Sequence, residues 1–305
     1  MKIGITGGLG LVGKALRGSL SGPVSLLVRR VPEEQLNSNE ECIVGNFSDP
    51  VITDIFLSNI SVLVHAATGV GPRSEFNDQF IRDDLVGTLN LAKAFFRKNP
   101  DGHFIYLSTS GGLYNLEDPS VKTEDSEIVP KSLYGAIKLI IEDSLEQICS
   151  NNGMVTIVRA AAIYGDSFKK NQDVGLIDKL LKSTLKESTN SLVPIFDKLE
   201  SARDYLHVDD LAKAIKVLIN RNSESRFEIY NVGTGKETSI DEVIKTINSL
   251  GEEKVRVEIL PTPNNRTSLI VNSNKIFNDV GWKSEISLRD GILKMYQDLK
   301  NKDLV

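Results

Sequence analysis

The segment MKIGITGGLGLVGKAL, residues 1–16, joins a short apolar strand directly to a run of glycines. Gly7, Gly10 and Gly13 follow the pattern Gly-x-x-Gly-x-x-Gly, and apolar residues at helical spacing continue behind them. Glycines let a turn bring its backbone close to a pyrophosphate, and the start of the next helix offers free N–H groups and a partial positive charge. In this context the pattern favours a dinucleotide-binding βα turn over a plain tight turn.

Strands and helices alternate through the first half of the sequence, which predicts βαβ units and a parallel sheet. The predicted strands cover residues 2–6, 24–28, 42–44, 62–66, 103–108 and 155–159, and the predicted helices between them cover 12–20, 84–97 and 133–150. The expected fold class is α/β, a doubly wound parallel sheet of the Rossmann type. A smaller C-terminal lobe is expected to bind the substrate.

After residue 165 the alternation loosens. Helices are predicted at 176–186, 209–219, 240–250 and 288–299, and a strand at 227–232 is expected to return to the first sheet. We therefore expect residues 1–165, with 203–235 returning to them, to form the NAD(P)-binding domain. Residues 166–202 and 236–305 are expected to form the substrate-binding lobe.

Composition excludes several classes of protein. The 305 residues carry a net charge of −5, and the basic residues are scattered, so a nucleic-acid or membrane-surface partner is not expected. Cys42 and Cys149 make neither a disulfide framework nor a zinc pattern, and the three histidines do not fall at metal-ligand spacing. No apolar run approaches the ~20 residues that cross a bilayer. These observations predict a cytoplasmic protein without a metal.

The end of the second predicted strand bears on which dinucleotide binds. An acid there bonds the adenosine ribose of NAD, whereas an arginine accommodates the additional phosphate of NADP. The sequence has Arg29 and Arg30 at this place and no acid. It favours NADP(H), with NAD as the alternative.

A possible acid–base pair lies on one helix. Tyr134 and Lys138 are four residues apart and so share a helix face. A tyrosine titrates near 10, and bringing its pKa to about 7 takes roughly 4 kcal/mol, which a neighbouring ammonium and an oriented cofactor can supply. Ser110 follows the fifth predicted strand, at the sheet edge where ligands bind, and can bond the same substrate oxygen as Tyr134.

Together these motifs resemble the extended short-chain dehydrogenases/reductases, and most closely the NAD-dependent epimerase/dehydratase family that acts on nucleoside-diphosphate sugars. The resemblance rests on the glycine pattern, Ser110 with Tyr114 four residues on, and Tyr134-x-x-x-Lys138. Further matching stretches, in family order, are HAA (65–67), VGTLN (86–90), RAAAIYG (159–165), RDYLHVDDLAKAI (203–215), YNVGTG (230–235) and VGW (280–282). SGG (110–112) and DVGLIDKLL (173–181) are closest to the O-antigen branch, which implies polysaccharide biosynthesis.

The resemblance implies a role for each matching residue. Tyr134 would be the acid/base at a sugar carbon, with C4 expected, Lys138 would lower its pKa and hold the nicotinamide ribose, and Ser110 would polarise the same oxygen. Arg203 would reach the diphosphate of the nucleotide sugar, unless it forms a structural ion pair with Asp209 or Asp210. Arg266 is expected to substitute for the Arg-x-Gly-Asp stretch that often binds the diphosphate in the family and is absent here. The implied cofactor-binding residues are Gly7, Gly10, Leu11, Val12, Gly13, Arg29, Arg30, Asn46, Phe47, Ala66, Ala67, Ser108, Tyr134, Lys138, Ala161 and Ile163.

Several implications remain open at this point. The best hypothesis is an NADPH-dependent 4-keto-sugar reductase; an NAD-dependent nucleotide-sugar 4-epimerase is the alternative, and a catalytically silent NADP(H)-binding protein is the third. The resemblance also implies a homodimer through the helices at 84–97 and 133–150. Asp84 departs from the family, which has an Asn there that orients a water relay to the lysine.

Overall fold

The computed structural model describes residues 1–69, 71, 78–149, 153–165, 175–185, 192–221, 224–251, 253–260 and 267–303. The strands in this part of the chain are β1 (Ile3–Thr6), β2 (Val24–Val28), β3 (Glu40–Val44), β4 (Val62–His65), β5 (His103–Thr109), β6 (Met154–Ala160), β7 (Ala162–Tyr164), β8 (Val193–Ile195), β9 (Ala202–Arg203), β10 (Tyr205–His207), β11 (Phe227–Val232), β12 (Thr238–Ser239), β13 (Val257–Ile259) and β14 (Ser268–Leu269).

The helices of the same part are α1 (Leu11–Ser19), α2 (Pro50–Phe56), α3 (Asp78–Phe80), α4 (Gly87–Lys98), α5 (Leu133–Cys149), α6 (Leu176–Leu185), α7 (Val208–Ile219), α8 (Ile240–Asn248), α9 (Asn274–Val280) and α10 (Leu288–Asp303). A π-helical segment, Ile81–Val86, connects α3 to α4. None of these helices is both long and apolar enough to cross a bilayer.

Seven parallel strands form the central sheet, in the order β11-β6-β5-β4-β1-β2-β3. The chain leaves β1 toward β2 on one side and later toward β4 on the other, so the order reverses beside β1. In such sheets ligands bind at the carboxyl ends of the strands beside this reversal. The predicted α/β fold class is confirmed, including the return of residues 227–232 to the first sheet.

The sheet is buried on both faces, which is why its strands are nearly continuous apolar runs. On one face, Val12 and Leu16 of α1 share a core with Leu211 and Ile215 of α7. The opposite face packs against α2, α4 and α5, through residues that include Phe56, Leu91, Phe95, Ile137 and Ile141. The two layers hold the strand ends in a fixed arrangement.

A third apolar core lies in the C-terminal part, among α6, α8, α10 and β8. Short strands complete this part, in the pairs β7–β10 and β8–β13 and the triplet β12-β9-β14. The helices predicted here are confirmed near their predicted ends. The strands of two or three residues were missed, because they are too short for an alternating pattern.

Two differences from the predicted elements have physical causes. Helix α2 was missed because it is short, although Asp49 accepts hydrogen bonds from Val51 N and Ile52 N and Pro50 stands at the first helical position. The helix predicted from residue 84 begins at Asp78, since α3 and the π-helical segment precede α4. The π-helical turn breaks the 3.6-residue period on which the prediction relied.

Candidate active site

The residues predicted to bind the cofactor gather at one edge of the sheet. Gly7 follows β1, Arg29 follows β2, Ala66 follows β4, Ser110 follows β5 and Ala161 follows β6. Since all these strands are parallel, their carboxyl ends meet at the same edge. The edge therefore joins six loops that are far apart in sequence, the loop with Asn46 and Phe47 after β3 included.

The glycine loop leaves no room for side chains where it meets the rest of this edge. Gly7 has a φ of +74°, and a Cβ there would lie 2.8 Å from the backbone nitrogen of Ala67. A Cβ on Gly13 would lie 2.3 Å from the carbonyl oxygen of Gly7. Within the described residues, no side chain caps α1, and its first turn holds no acid. The loop therefore fits a dinucleotide pyrophosphate at the helix start.

The structure places other residues that were predicted to bind the cofactor as follows. Arg29 and Arg30 directly follow β2 and are exposed to solvent. Asn46 folds its side chain onto its own turn, where it accepts a hydrogen bond from Ser48 N at 3.1 Å. The ring of Phe47 stands edge-on to His65, with 4.9 Å between ring centroids. Leu11 and Val12 open α1, and Ile163 lies within β7.

Lys138 is held at the centre of the edge by its neighbours. Its Nζ donates to the carbonyl oxygen of Leu107 at 2.9 Å and lies 4.6 Å from the ring centroid of Tyr106 and 5.8 Å from that of Tyr134. Burial lowers the pKa of Lys138 to about 8, and the negative charges of Asp84 and Glu142 oppose that shift. The predicted pairing of Tyr134 with Lys138 is thus a real juxtaposition on α5.

The phenol of Tyr134 has a hydroxyl neighbour on β5 that was not predicted. Burial raises the pKa of Tyr134, a hydrogen bond with the Thr109 side chain lowers it, and the charge of Asp84 raises it further. The hydroxyl of Ser110 is fully buried and donates to the carbonyl oxygen of Ala160 at 3.0 Å. In this conformation Thr109, rather than Ser110, faces the phenol, while the catalytic role of Ser110 stays a prediction.

A buried polar network lies behind the lysine. Glu142 accepts two hydrogen bonds from Arg159, at 3.0 and 2.7 Å, and another from the hydroxyl of Ser108. Arg159 also donates to the hydroxyl of Tyr114 at 3.0 Å, and that hydroxyl donates to Asn231 at 2.8 Å. Ser108 is therefore engaged inside the protein, and the network fixes the back of α5 against β5, β6 and β11.

Arg203, the predicted diphosphate ligand, lies on β9 in the C-terminal part. Its guanidinium donates to the carbonyl oxygens of Ala202 at 2.7 Å and Thr267 at 3.2 Å, and lies 3.3 Å from the carboxylate of Asp197. Arg203 does form an ion pair, but with Asp197 and not with Asp209 or Asp210 as considered from sequence. Asp209 pairs with Lys294, and Asp210 accepts hydrogen bonds from the backbone of residues 285 and 286. Arg266 lies outside the described residues.

Three functionally placed residues were missed from sequence. Thr109 could have been found from its position, the last residue of β5. Asp84 was noticed only as a departure from a family pattern. Glu142 stands four residues after Lys138 on the same helix face. That spacing is visible in the sequence, but it does not predict that Arg159 is the buried partner of Glu142. In the described part of the chain, no group of His, Cys, Asp or Glu could hold a metal ion.

The fold, with an open glycine loop after β1 and a Tyr-x-x-x-Lys helix at the same edge, defines the class of short-chain dehydrogenase/reductase enzymes. The family model of the NAD dependent epimerase/dehydratase family matches residues 3–233. The chain belongs to that family, and it is an enzyme of the short-chain dehydrogenase/reductase type.

Individual relatives are distant but cover most of the chain. The dTDP-4-dehydro-6-deoxyglucose reductase of Escherichia coli is 26% identical and aligns over 80% of this chain and 76% of its own length. The UDP-glucose 4-epimerase of Thermotoga maritima, solved with UDP-glucose, has a TM-score of 0.88 at 22% identity, with full coverage of both chains. MoeE5, solved with UDP-glucuronic acid and NAD, has a TM-score of 0.88 at 22% identity over 99% of this chain and 100% of its own.

Proposed function

We propose that this enzyme is an NADPH-dependent reductase that transfers hydride to the C4 keto group of a nucleoside-diphosphate sugar. The observation that carries the proposal is the meeting of Tyr134 and Lys138 with the uncapped glycine loop at one sheet edge. A proton donor beside a dinucleotide cradle is what a carbonyl reduction requires.

The loop fits the cofactor on structural grounds, since no side chain caps the start of α1 and the backbone packs too closely at Gly7 and Gly13 to admit a side chain. When bound, the nicotinamide supplies the hydride. Tyr134 then donates its proton to the sugar oxygen as that oxygen gains negative charge. Lys138, anchored on Leu107 O, presents a positive charge to the phenol and favours its ionised form after the transfer.

Two observations favour reduction over the reverse reaction. Burial raises the pKa of Tyr134, so the phenol holds its proton at neutral pH and begins as an acid. Arg29 and Arg30 stand exposed at the end of β2, where they can meet the additional phosphate of NADPH. The reductase among the relatives, from Escherichia coli, supports the same direction.

A 4-epimerase is the second candidate, favoured by the likeness to the Thermotoga maritima enzyme. An epimerase removes hydride from the sugar and returns it to the other face, so it keeps its cofactor bound. Tyr134 would have to act first as a base, which the raised pKa of its phenol opposes until a positive charge binds beside it.

Cofactor analysis separates the two candidates. The nucleotide released from purified protein is identified by mass spectrometry, and NADPH and NADH are then titrated against the stripped protein. A panel of nucleoside-diphosphate 4-keto-sugars is assayed for NADPH consumption. We expect stoichiometric consumption and tighter binding of NADPH than of NADH. Tightly bound NAD, with interconversion of UDP-sugars and no net consumption, would establish the epimerase instead.

The organisation of the molecule is part of the proposal. We assign residues 1–165 and 203–235 to the cofactor domain, supported by the pairing of β11 with β6 and the packing of α7 on α1. Residues 166–202 and 236–305 form the sugar-binding lobe. The exposed apolar side chains of Val86 and Ile140, near and on the helices α4 and α5, support a homodimer through these helices. We propose a cytoplasmic location, for which the composition is the argument.

A further inference from the structure

One carboxylate at the candidate site has no part in the mechanism above. Asp84 is buried within the π-helical segment, and it lines a cavity together with Tyr134 and Lys138. We propose that Asp84 is a positioning residue that supplies the counter-charge of the Lys138 ammonium and anchors the loop after β4. The proposal rests on the assignment of Tyr134 and Lys138 as the proton-transfer pair.

The contacts of Asp84 connect it to the loop. Its two carboxylate oxygens accept hydrogen bonds from the backbone nitrogen of Gly69, at 2.9 and 3.0 Å. The hydroxyl of Thr68 donates to the same carboxylate at 3.4 Å. These bonds fix the chain just after Ala66 and Ala67, where the cofactor is expected to pass.

The carboxylate and the proton-transfer pair also share a space. Asp84, Tyr134 and Lys138 line one cavity of about 10 Å³, which is roughly room for one water molecule. Thr68, Thr88 and Tyr106 are also part of its wall. Charges that face each other across so small and enclosed a space interact more strongly than charges in water.

The negative charge of Asp84 shifts the pKa values of Lys138 and Tyr134 in the same direction. The charge of Asp84 raises the pKa of Lys138 against the effect of burial, and it raises the pKa of Tyr134. Asp84 therefore favours an ammonium beside a protonated phenol, the state in which the pair can donate a proton. The other titratable groups around Lys138 are His65 on β4, Tyr106 on β5, and Tyr134 and Glu142 on α5, with Arg159 of β6 behind Glu142.

Asp84→Asn removes the charge and keeps an oxygen for Gly69 N. Its matched control is Asp83→Asn, because Asp83 is a partly exposed neighbour that accepts a hydrogen bond from Gln79 at 2.8 Å. Asp84→Ser, a second variant without the charge, guards against a folding defect of the first. The pKa of Lys138 is followed by carbon-13 NMR of the lysine ε-carbons, with Lys138→Met to assign its signal. The pH dependence of kcat and of kcat/KM is measured for each active variant.

We expect the pKa of Lys138 to drop by about one pH unit in both Asp84 variants, and the alkaline limb of kcat to move by the same amount toward lower pH. Asp83→Asn should match the wild-type protein in both measurements. An unchanged Lys138 titration in Asp84→Asn would overturn the inference even if Tyr134→Phe proved inactive. Full activity of Tyr134→Phe would instead overturn the proposed function, and the NMR titration would still report whether Asp84 and Lys138 are coupled.

Discussion

The proposed cofactor edge and the proposed sugar-binding residue Arg203 are held by different kinds of contact. At the cofactor edge the backbone makes the cradle, through Gly7 and Gly13 packed against neighbouring chain segments. At the proposed diphosphate site, by contrast, Arg203 is held by a side chain, Asp197, and by the carbonyl oxygens of Ala202 and Thr267. Backbone cradles tolerate no added atom, whereas side-chain sites can adjust. The two regions should therefore respond very differently to substitution.

Among the substitutions that test this contrast, the largest effect is expected at the glycine loop. Gly13→Ala places a Cβ 2.3 Å from Gly7 O, a backbone atom that cannot rotate away, so the loop must move. We expect NADPH affinity to fall by about 100-fold and unfolding free energy by about 1–3 kcal/mol. Calorimetry and urea unfolding measure both. The control is Gly18→Ala on the same helix, where nothing lies within 4 Å of the added Cβ and stability should rise slightly.

We also expect the stability of the fold to depend on pH through His65, on β4 beside the proposed cofactor edge. Burial lowers the pKa of His65 to about 3, between hydrogen bonds to Thr6 at 2.7 Å and Thr88 at 2.9 Å. As pH falls below 6.5, the unfolded chain binds a proton that the folded protein excludes, so stability is lost from pH 6.5 toward 3. The slope should be about 1.4 kcal/mol per pH unit.

His65→Gln should remove the part of the pH dependence of stability that His65 contributes. Urea unfolding between pH 6.5 and 4.5 measures this dependence. The control is His207→Gln, at the N-cap of α7. His207 also has a lowered pKa because of burial, but the charges of Asp209 and Asp210 oppose the shift. A larger change of slope in His207→Gln than in His65→Gln would contradict the assignment.

At Arg203, the expected effect is on substrate affinity alone. Arg203→Ala should raise the KM for the nucleotide sugar by about 10- to 100-fold and leave kcat nearly unchanged, because a charge-assisted hydrogen bond to a diphosphate is lost. Initial rates over a range of sugar concentrations test this. Arg289→Ala is the control, since Arg289 bonds only Ser249 on the surface among the described residues. An unchanged KM in Arg203→Ala would leave Arg203 as a structural partner of Asp197.

The smallest effect concerns the two arginines after β2, which are exposed and therefore screened by salt. Replacing Arg29 and Arg30 with Ser should reduce the preference for NADPH over NADH by about tenfold at low salt. The KM for NADH in the same variant is the internal control. Equal loss for both nucleotides would show that the arginines do not contact the additional phosphate.

The same contrast explains what the sequence could predict. Glycine spacing, strand–helix alternation and the four-residue spacing of Tyr134 and Lys138 are local signals, so the loop after β1, the parallel sheet and this pair could be predicted from them. Asp197 as the partner of Arg203, Arg159 as the partner of Glu142, and the buried orientation of Ser110 depend on chain segments that meet only in the folded protein. Side-chain directions at the ends of strands are set by packing, which no local pattern reports.

The central claim is that Tyr134 transfers the proton that accompanies the hydride. The measurement that tests it most directly compares kcat of Tyr134→Phe with that of the wild-type enzyme, on the keto-sugar and NADPH, alongside NADPH affinity. We predict that kcat falls by about 10²- to 10⁴-fold while NADPH binding and thermal stability are preserved. Wild-type turnover in Tyr134→Phe would contradict the account.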